Sequence, residues 1–471
     1  MWTTRDTCSV RRSTRSFSAA AALAAALALP AFAQSTEQNA QRIIDAILTK
    51  SQGYDTLAYL TDNIGPRLSG SKGAALAVAW TTKRYREWGI DVRNQKVMVP
   101  HWVRGVERGR LVSHNDQKIV LTALGGSVAT PADGVTAEVI EVTSFDQLEK
   151  LGRAGIKGKI VFYNGAMDME LVERGRAFEA YSNAVVFRGV GASRAAEYGA
   201  IAAVVRSVAT ASLRTPHTGS LRYDEKQPKI PAAAMTTEDA ELVHRLIAKG
   251  ERVRMHMVLT PRVLPDAESA NVIAEIRGSE RPDEIVLIGG HLDSWDLGTG
   301  AIDDGSGAAM VMETLRTLKE LGIQPKRTIR GVLFMNEENG LRGGHAYFDE
   351  VAKKETLRKH VAALETDAGA APPVGFITTL DGKELDALKA RAKVLSRIAP
   401  MYFESSKHTG ADTSPLTDAG VPGFGLVPDP RHYFDFHHTP ADTLDKVDPK
   451  ALAQDTAALA ALAYLISENG L

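Results

Sequence analysis

Apolar residues recur at helical spacing over residues 40–60 and again over 73–88, on either side of the run Asn63-Ile64-Gly65-Pro66-Arg67-Leu68-Ser69-Gly70. This pattern predicts two helices flanking a turn. Residues 92–99 alternate apolar and polar side chains, which predicts a strand, and 110–112 are expected to pair back with it. Over residues 133–261 the pattern changes to short β runs such as Ala137-Glu138-Val139-Ile140-Glu141-Val142 and Lys159-Ile160-Val161-Phe162-Tyr163. Helical stretches, among them 192–199 and 237–249, fall between these runs, and the whole reads as a separate module. After Ser269 the pattern alternates: strand 285–289, helix 306–321, strand 328–335, helix 344–352, strand 361–366. Such alternation predicts an α/β fold with a mostly parallel sheet flanked by helices, whose functional residues lie beyond the C-terminal ends of the strands.

Length and composition set the scale. The chain has 471 residues, 44% of them hydrophobic, enough for two folded units. The first 33 residues differ from the rest: Arg5, Arg11, Arg12 and Arg15 precede an Ala/Leu run over 19–29, and Ala31-Phe32-Ala33 closes it. That is the pattern of a secretory leader, so the protein is expected to be exported to the periplasm or the extracellular space. The run is far shorter than the roughly 20 residues of a membrane span, and Pro30 ends it. Arg11-Arg12 followed by Phe17 leaves the twin-arginine route open beside the general one. Loss of residues 1–33 removes four arginines and one aspartate, moving the formal net charge from −1 to −4, and nothing points to nucleic acid. Cys8, the single cysteine, lies in the leader, so the mature chain has no disulfide and no thiolate ligand. Any metal must then be held by His, Asp and Glu, which suits zinc, manganese or cobalt.

The candidate chemistry falls at the predicted strand ends. Gly289-Gly290-His291-Leu292-Asp293 offers a histidine ligand with a carboxylate that could take the other ring N–H, although a lone His-x-Asp is more often ordinary surface or packing. Gly300-Ala301-Ile302-Asp303-Asp304-Gly305-Ser306-Gly307 turns into a helix; capping is assigned to Asp304 or Ser306, and ligation to Asp303, whose two oxygens can bridge two metals. Asn336-Glu337-Glu338 puts two neighbouring acids at an apolar strand end, where they repel unless a cation lies nearby; a solvated acidic loop is the plain alternative. In Leu364-Glu365-Thr366-Asp367 the period-two pattern puts both acids on one side and leaves the choice open. Phe436-His437-His438-Thr439-Pro440-Ala441-Asp442-Thr443 supplies a late histidine, either member of the pair. Each motif is weak alone; their ordered occurrence at element spacing is specific.

On these motifs the chain resembles the co-catalytic zinc exopeptidase family of secreted aminopeptidases, carboxypeptidase Q and prostate-specific membrane antigen, over most of its length. The runs Glu365-Thr366-Asp367-Ala368-Gly369 and Tyr433 to Thr443 look closest to the carboxypeptidase Q branch. The resemblance implies two zinc ions held by His291, Asp303 as the bridge, Glu338, Asp367 rather than Glu365, and His438 rather than His437. It implies Glu337 as general base with Asp293 beside it, Asp442 as an outer support, and a short peptide as substrate. Two metals roughly 3.5–4 Å apart would share and acidify a water, and Glu337 would carry its proton to the departing amine. Many members have Tyr directly before the last metal histidine, where this chain has His437; His437, Tyr433 and Asp412 are therefore the candidates for substrate or oxyanion contact. For Asp412 a solvated loop acid is an equal alternative, and for Arg342 and Arg431, which could meet a substrate carboxylate, surface charge is. The resemblance also implies peptidase parts over 34–130 and 262–471, a protease-associated-like insert over 131–261, and a homodimer as a further expectation. Two other classes share the fold: glutaminyl cyclisation on a single zinc, and a receptor-like binding protein without chemistry.

Overall fold

Four central strands explain where the site lies. The computed structural model describes residues 35–471, so the leader expected at 1–33, with Cys8, lies outside the described residues. The strands Arg327–Phe334, Arg281–His291, His360–Glu365 and Gly423–Pro428 stand side by side in parallel. Asp91–Val103 and Arg262–Ile276 extend the sheet antiparallel at one side, and Pro373–Thr378 and Tyr402–Ser405 complete it at the other, giving a mixed eight-stranded sheet. Both faces of its centre are buried. Val286 and Ile288 pack towards helices Ser306–Glu320 and Pro449–Asn469, whereas Ile285 and Leu287 pack towards Tyr347, Val351 and Leu416 on the other face. Continuous apolar runs, rather than half-polar alternation, are what a doubly covered parallel strand requires.

The C-terminal helix Pro449–Asn469 is capped by the Asp448 carboxylate, which accepts the N–H groups of Lys450 and Ala451, and it is alanine-rich and buried along nearly its whole length. No helix among the described residues is long and apolar enough to cross a membrane.

The chain leaves strand Arg281–His291 for Arg327–Phe334 on one side, then crosses back to His360–Glu365 on the other. This reversal opens a crevice at the C-terminal ends, the place where parallel sheets bind ligands.

A second eight-stranded sheet occupies Glu107 to Leu259. Its strands Glu107–Leu111, Gln117–Ile119 and Leu121–Ala123 come before residue 131, so it begins ahead of the β-run pattern seen in the sequence; two of them are three residues long, too short to show a period. The strand expected at 92–99 does not pair with 110–112. It pairs antiparallel with Arg262–Ile276, Asp91 facing Glu275 and Val103 facing Arg262, while Arg110 and Leu111 pair with Lys118 and Gln117 and with His256 and Met255. A partner so distant in sequence leaves no mark on the local pattern. The two connections between the sheets run side by side: Thr260 donates its N–H to Val106 O at 3.0 Å, and a Cβ on Gly105 would lie 2.1 Å from the Thr260 oxygen.

Candidate metal centre

His291 ends its strand level with Phe334, so Glu337 and Glu338 emerge beside it, and the turn after Glu365 brings Asp367 to the same edge. The His291 ring donates from Nδ1 to the main-chain oxygen of Asp293 at 3.0 Å, which leaves Nε2 turned inward, 3.0 Å from Asp303 Oδ1 and 3.6 Å from Asp367 Oδ1. His438 repeats the device, with Nδ1 3.2 Å from the Thr218 carbonyl of the second sheet's module and Nε2 3.0 Å from both Asp303 Oδ2 and Glu338 Oε2. Asp303 thus stands between imidazoles, His291 on Oδ1 and His438 on Oδ2, with His437 Nε2 a further 3.4 Å neighbour of Oδ2. His291, Asp303 and Glu338 converge closely enough to hold one ion, as do Asp303, His437 and His438.

Several groups hold this constellation in place. Asp442 accepts the N–H groups of Ala301 and Ile302 at 2.8 and 2.7 Å and that of Asp303 at 3.3 Å, fixing the turn that carries the Asp303 carboxylate. Asp304, joined to Asp303 by a cis peptide, accepts Gly307 N–H at 3.0 Å and His291 N–H at 2.9 Å, so of Asp304 and Ser306 it is Asp304 whose side chain takes an N–H at the start of the helix. Glu365 accepts N–H groups from Ala411, Asp412 and Thr413 and so anchors that loop, while Asp367 faces His291. Gly300 has φ +60°, and a Cβ there would lie 2.3 Å from that of Ser294, so only glycine fits.

The His291 ring N–H meets the Asp293 main-chain carbonyl, not its carboxylate, which is 3.8 Å away. The carboxylate instead accepts the N–H groups of Asn336 and Glu337. Asp412 is a buried acid with an unpartnered Oδ1, neither a solvated loop residue nor among the residues lining the cleft. Arg342 is paired with Asp266 and Arg431 with Asp429, both away from the cleft wall.

Burial, with the neighbouring acids, raises the carboxyls of Glu337 and Asp412 well above their ordinary range. Burial likewise pushes Glu338 to about 7, with Asp303 adding to it, and Asp442 to about 7. His437 goes the other way: burial and then the charge of His438 hold its ring well below the usual range, so it is neutral. Its ring stacks on His438 at 3.5 Å and its Nδ1 has no partner. Tyr433 lies against it at 5.0 Å. An excess of buried carboxylate around two inward-facing imidazole nitrogens is the donor chemistry of a divalent cation site.

Residues the motifs did not single out complete the picture. Arg67 is fully buried and donates to the main-chain oxygens of Leu292, Thr299 and Gly300 at 2.8, 2.6 and 2.8 Å, tying the His291 loop to the Asp303 turn. Its only sequence signal is a charge set between Pro66 and Leu68. Arg188, from the helix Val186–Glu197, reaches the Tyr181 hydroxyl at 2.6 Å and the Thr218 carbonyl at 3.3 Å. Nothing in the local pattern foretells that these face the cleft. The cleft itself, about 660 Å³, is lined by Glu337, Asp367 and His438 together with Tyr181, Arg188 and Arg222, and Arg188 reaches within 3.4 Å of His438 Nδ1.

Residues 271–463 match the model of peptidase family M28. Carboxypeptidase Q of Homo sapiens is 39% identical over 425 residues, covering 89% of this chain and 86% of that relative. The chain belongs to peptidase family M28. Within that family, the solved peptidase M28 precursor from Shewanella amazonensis SB2B superposes with a TM-score of 0.88 at 37% identity, covering 93% of this chain and 97% of that one. Aminopeptidase YwaD of Bacillus subtilis (strain 168) is 25% identical, covering 85% of this M28 chain and 81% of its own length. The α/β fold with helix-flanked sheets is that of M28 peptidases, and the chain is a metallopeptidase of exopeptidase type.

Proposed function

We propose that this protein is an exported two-zinc exopeptidase that hydrolyses dipeptides or the terminal residue of short peptides, with Glu337 as general base. The observation that carries the reading is Asp303, whose two oxygens each lie 3.0 Å from a different inward-facing imidazole nitrogen, that of His291 and that of His438. His291, Glu338, Asp367 and His438 join Asp303 as the residues that would hold the ions, and an all-nitrogen-and-oxygen set suits zinc, with manganese or cobalt as substitutes. Bound there, the ions would supply Lewis acidity towards the scissile carbonyl and lower the pKa of a shared water.

The chain's own residues do the rest. Glu337 lies on the cleft wall with its main-chain N–H fixed on Asp293, takes the proton of the attacking water and returns it to the departing amine. Neutral His437 and Tyr433, both on that wall, are the residues to meet the carbonyl oxygen or substrate side chains. The second sheet takes the role of the protease-associated-like insert, closing the cleft and seating His438 on Thr218. Export rests on the leader pattern at 1–33.

Two neighbouring variants test the assignment. Glu337→Ala is expected to keep its zinc, measured by elemental analysis, and lose dipeptide turnover by about 10²–10⁴-fold; Glu338→Ala is expected to lose metal. Full turnover in metal-replete Glu337→Ala protein would sink the assignment.

A further inference from the structure

The two imidazoles of the candidate centre have opposite surroundings on their outer sides. Distances divide the donors between them: Glu338 Oε2 is 3.0 Å from His438 Nε2, Asp367 Oδ1 is 3.6 Å from His291 Nε2, and Asp303 turns one oxygen to each. Behind His291, Nδ1 donates to the Asp293 main-chain oxygen at 3.0 Å, with the Asp293 carboxylate 3.8 Å away and the Asp304 carboxylate on the main-chain N–H. Behind His438 stands a cation. Arg188 Nη1 is 3.4 Å from His438 Nδ1 and 3.3 Å from the Thr218 carbonyl, which this Nδ1 also meets at 3.2 Å.

Arg188 is buried, and among the described residues no carboxylate pairs with it; its Nη2 donates to the Tyr181 hydroxyl at 2.6 Å and its Nε has no partner. Its seat is set by main chain: a Cβ on Gly219, at φ +141°, would lie 2.3 Å from Arg188 Cζ, so the guanidinium rests against that glycine. An acid behind the far nitrogen of a metal-ligating imidazole strengthens the donor nitrogen, and a cation there weakens it. The same charge repels an ion across the width of one ring, and burial leaves little water to screen it. The Thr218 carbonyl is neutral and does not cancel the charge. We propose that Arg188 makes the His438 half of the centre the weaker of two zinc positions, so that the protein holds one ion firmly at His291 and takes the second only as free zinc rises. This rests on the two-zinc reading and adds to it the residue that sets the order in which the ions are held.

Dialysis of the holoenzyme against buffers of graded free zinc, with bound zinc counted by elemental analysis, tests it. The wild type is expected to pass through a plateau of one zinc per chain, its two steps separated by at least about tenfold in free zinc. Arg188→Met is expected to move the weaker step to at least about tenfold lower free zinc and to leave the tighter step in place, whereas Arg188→Lys, which keeps the charge, stays close to the wild type. His438→Ala is expected to lose the weaker step and keep the tighter one. A merely structural Arg188 would give the opposite sign, because loss of its bonds to Tyr181 and Thr218 would loosen His438 and move the weaker step to higher free zinc. That result, or no movement at all, overturns the proposal. So does a pair of equal steps in the wild type, Arg188→Lys behaving as Arg188→Met, or loss of the tighter step in His438→Ala, and each leaves the two-zinc reading of the wild type intact. No zinc retained by the wild type at any free zinc concentration removes both readings.

Discussion

The carboxylate of Asp293 holds the candidate general base by its backbone: Oδ1 accepts the N–H of Glu337 at 3.1 Å and that of Asn336 at 2.7 Å. Asp293 is fully buried, so its influence on the chemistry runs through the position of the Glu337 loop and not through contact with substrate. Asp293→Ala would leave two buried N–H groups unpaired, at a cost of about 1–3 kcal/mol for each, and let Glu337 drift. The expected result is a lower melting temperature together with a kcat reduced on the order of 10²-fold. Asp293→Asn, which retains an acceptor oxygen, is expected to keep most of the stability. Unchanged kcat in Asp293→Ala would show that the loop does not depend on this acceptor.

Arg67 ties the loops that carry His291 and Asp303 together through main-chain oxygens of Leu292, Thr299 and Gly300. Arg67→Met would strip the buried carbonyls of their donors and remove positive charge from an acidic neighbourhood, with an expected loss of roughly 3–5 kcal/mol in urea denaturation. Arg67→Lys is expected to rescue little, because a point charge cannot reach three carbonyls as a planar fork does. Equal stability of Lys and Arg at this position would refute that reasoning.

His360 supplies a pH dependence far from the cleft. Its Nε2 accepts the Tyr347 hydroxyl at 2.8 Å, its Nδ1 faces the carbonyls of Thr356 and Leu357, and burial followed by the nearby Arg330 charge brings its pKa down to about 4. In the unfolded chain the ring titrates near its ordinary value of about 6.5. The folded value lies below the unfolded one, so the contribution is complete above about pH 6.5 and is lost as pH falls towards 4, on the order of 3 kcal/mol in total. Urea midpoints of the wild type and His360→Gln at about pH 7.5 and about pH 4.5 measure it. The wild type is expected to lose more stability across that interval than the variant.

Asp455 sits in the C-terminal helix, fully buried, with neither carboxylate oxygen hydrogen-bonded, and burial raises its pKa well above the ordinary range. A raised folded value means that the unfolded chain ionises first, so the native state loses ground as pH rises above about 4. Asp455→Asn removes that ionisation with little change of shape. Its stabilising effect is expected to grow by roughly 1.4 kcal/mol per pH unit above about pH 4, until the folded carboxyl itself ionises. Calorimetry at about pH 5 and about pH 8 checks it, and a pH-independent difference between the two proteins would contradict it.

Much of the architecture was already written in local pattern. Runs such as Ile285-Val286-Leu287-Ile288 are apolar on both sides because both faces of a parallel strand are covered, and that alone predicts strand, sheet type and the edge where ligands gather. The motif residues His291, Asp303, Glu338 and His438 were legible for the same reason: each lies just past a strand end or in a short turn, and the structure brings their side chains together. Within the acid and histidine pairs the pattern could not choose. Glu365 and Asp367 share a side of the chain, and only the loop at 411–413, folding back to offer three N–H groups, turns Glu365 away from His291. The strand Asp91–Val103 found its partner some 170 residues on, in Arg262–Ile276, because an inserted module returns the chain to its starting point. Arg67, Thr218, Arg188 and Arg222 owe their places to contacts across distant parts of the chain. Periodicity records what a residue's neighbours in sequence bury; which carbonyl a guanidinium meets, and which cleft it faces, is decided only when separate elements pack.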